Sequence, residues 1–321
     1  MKRRTLALSL MLVLTVATVA SAKMNFISIG TGGTGGVYYP YGGGLAEIWT
    51  KNVKGVKAVA EVTGASVENV KLAHKGETVV GLIMGDVAYQ AYNGKDKFDG
   101  NTQDILAMAC MYPNILHVVT LKGSGIKNVT DIPGKVVSIG SPGSGTAFMA
   151  ELVLGALGIN LDTFDVRRLS FNETANALRD GTIDAGFWVV APGTSSIMDL
   201  ATTHDIEIVP FTAEQQQKVV AGYGYYSAWD LEAGSYRGGD QAVPTLSVWT
   251  VIIEQKSLAD DLVHDLTRVL FEKNEYMQRI HPFARYSTPE IAVGKSPIPF
   301  HPGAIKAIEA KGVKVPANLR P

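Results

Sequence analysis

Apolar and polar positions follow a repeating order along the chain: a short apolar run, a turn of glycine and hydroxyl residues, then a stretch with helical periodicity. The first instance is "NFISI" (25–29), the turn "GTGGTGG" (30–36) and a helical pattern from about Tyr38. The same order returns 110 residues later. "ISIGTGGTGG" (27–36) aligns without a gap on "VSIGSPGSGT" (137–146). Ser28, Ile29, Gly30, Gly33 and Gly35 recur as Ser138, Ile139, Gly140, Gly143 and Gly145, while Thr31 and Thr34 become Ser141 and Ser144. The second copy predicts a helix from about Ala147. "SVENVKLAHKGETVVGLI" (66–83) shares its layout with "FNETANALRDGTIDAGFW" (171–188): a capped helix, a glycine stop and a strand, with Ser66 and Ser170 as N-caps.

Strands alternating with helices predict parallel sheets in doubly wound α/β units, and two such sets predict two lobes. The second lobe is expected to open at the strand "ILHVVTLKG" (115–123) and to close near "IEIVPF" (206–211). "TLSVWTVIIE" (245–254) predicts a returning strand, followed by an amphipathic helix from about Leu258 to Tyr276. The expected division is 23–115 plus 225–321 for lobe 1 and 116–224 for lobe 2, joined by a hinge, with both glycine loops bordering one cleft.

The N-terminus has another character. Lys2, Arg3 and Arg4 precede an apolar stretch from Leu6 to Ala20, and Ala20-Ser21-Ala22 forms an A-x-A site. That pattern predicts a signal peptide, residues 1–22, cleaved after Ala22, and hence a periplasmic protein. Cleavage takes three basic and no acidic residues from 29 Lys+Arg and 30 Asp+Glu, leaving about −4. Such a balance, without a basic run, argues against nucleic acid and anionic membrane surfaces as partners. A single cysteine, Cys110 in "ILAMAC", forms no internal disulfide and is expected in the core. No interface motif is apparent, so a monomer is expected.

The loops carry the candidate chemistry. Gly30, Gly32 and Gly35 satisfy G-x-G-x-x-G, and Glu61 ends the next predicted strand "VKAVAEV" where a ribose-binding acid would stand. That is the alternative reading: a secreted dinucleotide-dependent oxidoreductase. Against it stand the export signal and the second hydroxyl-rich loop. The second loop has phosphate-loop spacing from Gly140 to Gly145, but Thr146 replaces the required lysine. The six histidines show no metal-ligand spacing, and Pro142 spoils a nucleophile elbow around Ser144. His117, in an apolar strand, is expected to be structural. No reaction is visible and no cofactor is expected. A glycine-hydroxyl loop opening a helix does present N–H groups and a positive dipole end, so two such loops predict a clamp for a small carboxylate.

"GTGGTGGVYYPYGGGLA" (30–46), "TGASVENV" (63–70), "GDVAYQAYNG" (85–94), "LRDGTIDAGF" (178–187) and "SPIPFHPGA" (296–304) resemble, in order across the mature chain, the TAXI-type solute receptors of tripartite ATP-independent periplasmic (TRAP) transporters. The resemblance implies a type II periplasmic-binding-protein fold, delivery of a ligand to a membrane permease, and a ligand such as glutamate, glutamine or a related dicarboxylate such as 2-oxoglutarate. By position it implies a site of Thr31, Gly33, Thr34, Gly35 and Tyr38 from the first loop, with Ser66, Val67 and Asn69 from the next helix start. Asp86 is the implied acceptor for an ammonium, or else a helix N-cap; Ser144, Gly145, Thr146 and Phe187 come from the other lobe. His301 matches the family but is expected to be structural or interface-forming. Met84 and Val190-Ala191 depart from the family pattern at positions expected to border the cleft.

Overall fold

The computed structural model describes residues 24–321, so the signal-peptide reading of residues 1–22 lies outside the described residues. Among the described residues one sheet contains β1 (Asn25–Gly30), β2 (Val56–Glu61), β3 (Val80–Met84), β4 (Ile105–Leu121), β5 (Val136–Ser138), β6 (Asp165–Arg167), β7 (Ala185–Val190), β8 (Ile206–Ile208), β9 (Tyr226–Leu231) and β10 (Val243–Gln255). Its path is β2-β1-β3-β10-β4-β7-β5-β6, with β8 on β4 and β9 on β10. The helices between strands are α1 (Tyr38–Asn52), α2 (Ser66–Lys75), α3 (Gly85–Asn93), α4 (Gly145–Leu157), α5 (Phe171–Arg179), α6 (Ser195–Thr203) and α7 (Ala213–Gly222). After β10 come α8 (Asp260–Glu272), α9 (Asn274–Ile280), α10 (Pro289–Lys295) and α11 (Pro302–Glu309).

Two parallel sets sit at the ends of this path. β1 pairs in parallel with β2 and β3, and β5 pairs in parallel with β6 and β7. Strands covered on both faces read as continuous apolar runs, and β3 and β7 are buried throughout. The long antiparallel pair β4 and β10 joins the sets. β10 pairs with β3 over Thr250–Glu254 but with β9 over Val243–Val248. β4 contacts β10 from Ile105, then passes to β7 over Ile115–Thr120. Midway, Pro113 stands opposite Trp249 and the β10 register shifts between Trp249 and Val251. The C-terminal helices return to the first set: Trp49 Nε1 in α1 donates to the Leu266 carbonyl in α8, 3.0 Å away.

Several sequence expectations meet their elements closely. α1 begins at Tyr38, and the strand expected over 245–254 is β10. The strand expected from residue 115 is the second part of β4, which starts ten residues earlier at Ile105. The single helix expected over 258–276 is two, α8 and α9, divided at Lys273. Ser170 caps α5 with a full capping box, its Oγ accepting from Glu173 N–H. Ser66 does not cap α2: Ala65 holds that position at φ 73°, and Ser66 Oγ instead accepts from the Met84 N–H, 3.1 Å away. Helix α4 starts at Gly145 with Ser144 as its cap, two residues before the expected Ala147. Cys110 is buried and free.

Candidate functional site

β1, β2, β5 and β6 are each followed by a helix whose first turn reaches one place beyond the carboxyl ends of the strands, where ligands of open α/β sheets collect. A cavity of about 270 Å³ lies there. Its walls include Gly33, Val37 and Tyr38 at the start of α1, Ser66 at the start of α2, Ser144, Gly145 and Thr146 at the start of α4, and Ser170 and Phe171 at the start of α5. Two larger surface grooves, of about 670 and 550 Å³, lie away from these helix starts, at Tyr89–Trp249 and Ile206–Val243.

Helix geometry leaves the first N–H groups without intrahelical acceptors. In α4, Ser144 takes the Ala147 N–H at 3.0 Å, which leaves Gly145 and Thr146 at the cavity wall. In α5, Ser170 takes the Glu173 N–H, which leaves Phe171 and Asn172. The floor is a polar chain: Asn114 Nδ2 donates to Thr250 Oγ1 at 2.7 Å and to the Tyr38 hydroxyl at 3.3 Å. Burial, with Asp86 adding to it, holds the Tyr38 phenol above its ordinary pKa, so it stays neutral at physiological pH. Among the described residues that line the cavity, none is charged.

The structure brings Gly33, Tyr38, Ser66, Ser144, Gly145 and Thr146 to this cavity. The other expected contacts lie elsewhere. Thr31 and Asn69 fix the loop: Thr31 Oγ1 donates to the Glu61 carbonyl at 2.6 Å, and Asn69 Nδ2 donates to the carbonyls of Thr31 and Leu82 at 2.7 and 2.9 Å. Thr34 is exposed beside Asn172, 3.5 Å away. Phe187 is fully buried in β7, and the strand reaches the cavity two residues later, at Val189 and Val190. Asp86 is the second residue of α3, neither N-cap nor cavity lining. It is fully buried and accepts from the Tyr226 hydroxyl at 2.7 Å and the Val87 N–H at 2.8 Å. Burial pushes its carboxyl up to about 7 against those two bonds.

Sequence reasoning missed Asn114, Phe171, Ser141 and Thr63 as lining residues. A buried amide inside the apolar run "YPNILHVV" was the available signal for Asn114. Met84 and Val190 do line the cavity, whereas Ala191 is buried outside its lining. His117 is structural: its Nδ1 pairs with the Ile115 carbonyl, its Nε2 with the Tyr236 hydroxyl, and burial pushes it down to about 4. His301 caps α11, its Nδ1 accepting from the Gly303 N–H.

Across the cavity mouth the two halves bond to each other. The Gly35 carbonyl accepts from Ser196 Oγ at 2.9 Å, at the start of α6. The Gly143 carbonyl accepts from Val67 and Glu68 N–H, at 3.0 and 3.3 Å, in the first turn of α2. Each glycine loop thus supplies a carbonyl to a helix start of the opposite half.

Residues 29–312 match the model of the NMT1-like family. The chain belongs to the NMT1-like family. Among solved structures, it is similar to PhnD1 from Prochlorococcus marinus in complex with methylphosphonate, at 13% identity and a TM-score of 0.55, over 82% of this chain and 90% of that one. It is similar also to the periplasmic aliphatic sulphonate binding protein SsuA from Escherichia coli, at 13% identity and a TM-score of 0.51, over 89% and 82%. A third likeness is to a Streptococcus mutans structure concerning glutathione import via GshT and the cystine ABC importer TcyBC, at 14% identity and a TM-score of 0.52, over 82% and 96%. This family member therefore has the periplasmic-binding-protein fold, as the resemblance implied.

Proposed function

We propose that this NMT1-like protein is a periplasmic, non-enzymatic receptor that captures a small carboxylate and hands it to a membrane permease, of the TRAP type by its motif resemblance. The observation that carries the reading is the cavity walled by the first turns of α1, α2, α4 and α5, with no charged side chain among the described residues that line it. The carboxylate sits against Gly145 and Thr146 of α4 with the Ser170 hydroxyl beside it, while Ser144 Oγ holds the loop by donating to the Ser141 carbonyl at 2.7 Å. Each helix terminus contributes roughly 0.3–1 kcal/mol, and up to about 2 where partly buried. The lobes meet where β4 and β10 cross from one parallel set to the other, near Pro113 and near Trp249–Val251. On this reading β9 and the first part of β10 go with lobe 2, which moves the second boundary from 225 to about 249.

Against the dinucleotide alternative, the cavity is small, about 270 Å³. The approach to the first glycine loop is also occupied: a Cβ on Gly36 would lie 3.1 Å from the Phe171 ring. The test is thermal unfolding of protein refolded to strip any carried-over ligand, with carboxylates and NAD(P) added separately. A ligand at 100 times its Kd stabilises by roughly 2.7 kcal/mol, which is several degrees for a chain of this size. A shift with a carboxylate is the expected result; a shift with NAD(P) alone overturns the receptor reading.

A further inference from the structure

We infer that Asn114 is the specificity residue of this cavity: its Oδ1 accepts a hydrogen bond from the amino or hydroxyl group of a 2-amino or 2-hydroxy carboxylate. The inference rests on the receptor reading above and deepens it.

The cavity is rich in donors. Among the described residues, the N–H groups of Val37, Tyr38 and Ser66 at the α1 and α2 starts have no acceptor, and neither have those of Gly145, Thr146 and Phe171 at α4 and α5. Anionic groups are therefore served from both sides. Acceptors are scarcer. The hydroxyls of Thr63, Ser66, Ser144 and Ser170 already accept from the N–H groups of Ala65, Met84, Ala147 and Glu173, at 3.0, 3.1, 3.0 and 3.4 Å. Asp86, the acid expected to receive an ammonium, lies behind the wall with one oxygen bonded to Tyr226 and the other to Val87.

Asn114 is the exception. It carries the only side-chain carbonyl among the described residues that line the cavity, and it is 1% exposed. It stands in β4 where that strand passes from β10 to β7. Its Nδ2 is turned to Thr250 Oγ1 and the Tyr38 hydroxyl, which fixes the way the amide faces. Its Oδ1 receives no donor from the described residues, yet it is not sealed in the core as the Glu254 oxygens are; it opens on the cavity. A hydroxyl can rotate to give or take a proton, but an amide oxygen only accepts. A ligand that fills this space without offering it an N–H or O–H leaves a desolvated carbonyl unpaired. A 2-oxo acid sets carbonyl against carbonyl, and an unsubstituted acid sets a methylene there. Val62, Met84, Phe171, Val189 and Val190 make other parts of the wall apolar, which suits a ligand whose donor sits next to its carboxylate rather than along its chain.

The experiment is isothermal titration of the stripped protein with two series that differ only in the group on the second carbon. One is glutamate, 2-hydroxyglutarate, glutarate and 2-oxoglutarate; the other is norvaline, 2-hydroxypentanoate, pentanoate and 2-oxopentanoate. In the series that binds, the amino or the hydroxy acid is expected to bind roughly tenfold or more tighter than both the unsubstituted and the oxo acid. Asn114→Leu removes Oδ1 at similar volume and is expected to bring the members of that series within about threefold of one another. A merely structural role for Asn114 would weaken all of them alike and preserve their ratios. Asn114→Asp keeps an oxygen on the cavity, while the Tyr38 and Thr250 hydroxyls turn to donate to the other. It is expected to raise the preference for the amino acid over the unsubstituted acid, and it decides the matter where Asn114→Leu does not fold. Tightest binding by an unsubstituted or oxo acid, equal binding within a series, a preference that survives Asn114→Leu, or no rise with Asn114→Asp overturns the inference and leaves the receptor reading standing. Binding by no member of either series overturns both.

Discussion

Two buried carboxyls separate what burial costs from what a partner returns. Asp86 has its two partners; Glu254 in β10 has neither of its oxygens bonded among the described residues, and burial drives its pKa far upward. Both are therefore held protonated more readily than in the unfolded chain. For Asp86 the folded value is about 7 and the unfolded value about 3.8. At this site the native state then binds more protons across that window, so the contribution of Asp86 to stability is fully present below about pH 4 and is lost as pH rises towards 7. Asp86→Asn keeps an acceptor for the Tyr226 hydroxyl without the titration. Denaturant unfolding at a series of pH values should show the variant gaining on the wild type between pH 4 and 7, by a few kcal/mol at most. A constant difference across that range would show that Asp86 is ionised in the native state. Glu254→Met replaces an unpartnered acid by an apolar chain of similar length, and should raise stability at pH 7 by roughly 1–3 kcal/mol.

At the scale of elements, the helix starts matter most, and glycine has two roles there. Gly140, before α4, has φ 100° and so needs a residue without Cβ. Gly145 is ordinary helix, yet a Cβ on it would run into Met84 Sδ and come within 2.6 Å of Ser66 Oγ, both from the opposite half. Gly145→Ala therefore improves the intrinsic propensity of α4, by up to about 1 kcal/mol, while wedging the halves apart. The expected outcome is an unliganded Tm equal to or above that of the wild type, with ligand affinity lowered at least tenfold. A variant that binds normally would mean the contact yields at no cost. The same residue marks how far the sequence was legible. The repeat of strand, loop and helix was readable because each unit is local, and the family resemblance added Ser144, Gly145 and Thr146, which line the cavity. What the glycines face was not readable, because the neighbours come from far along the chain. Asn172, for example, lies against Gly35, and its contact with the loop depends on how the halves meet. The expected role of Asp86 failed for a related reason: the hydroxyl that occupies it, Tyr226, is 140 residues away.

For the whole molecule, the proposed receptor role raises the question of what would make closure favourable enough to retain a ligand and weak enough to release it. The carbonyls of Gly35 and Gly143, each received by the opposite half, exchange bonds to water for bonds across the mouth, so each contributes only about 1 kcal/mol net. Such a pair biases a two-state equilibrium without locking it, and ligand affinity falls in proportion to the fraction of closed-competent molecules. Ser196 offers the cleanest lever. It lies outside the cavity lining, its Oγ donates to Gly35, and it accepts from Trp188 Nε1 at 3.1 Å. Ser196→Ala should reduce ligand affinity roughly five- to tenfold, in keeping with about 1 kcal/mol of lost closure. The indole N–H left behind also lowers the Tm, so stability alone does not discriminate. The discriminating measurement is small-angle scattering across a ligand titration. At saturation the variant should reach the same compact radius as the wild type, but at higher ligand concentration. If it binds with wild-type affinity, the Ser196 Oγ bond accompanies closure without favouring it, and the Gly35 carbonyl is held well enough by Ser195 Oγ and the Ser196 N–H, each 3.4 Å away.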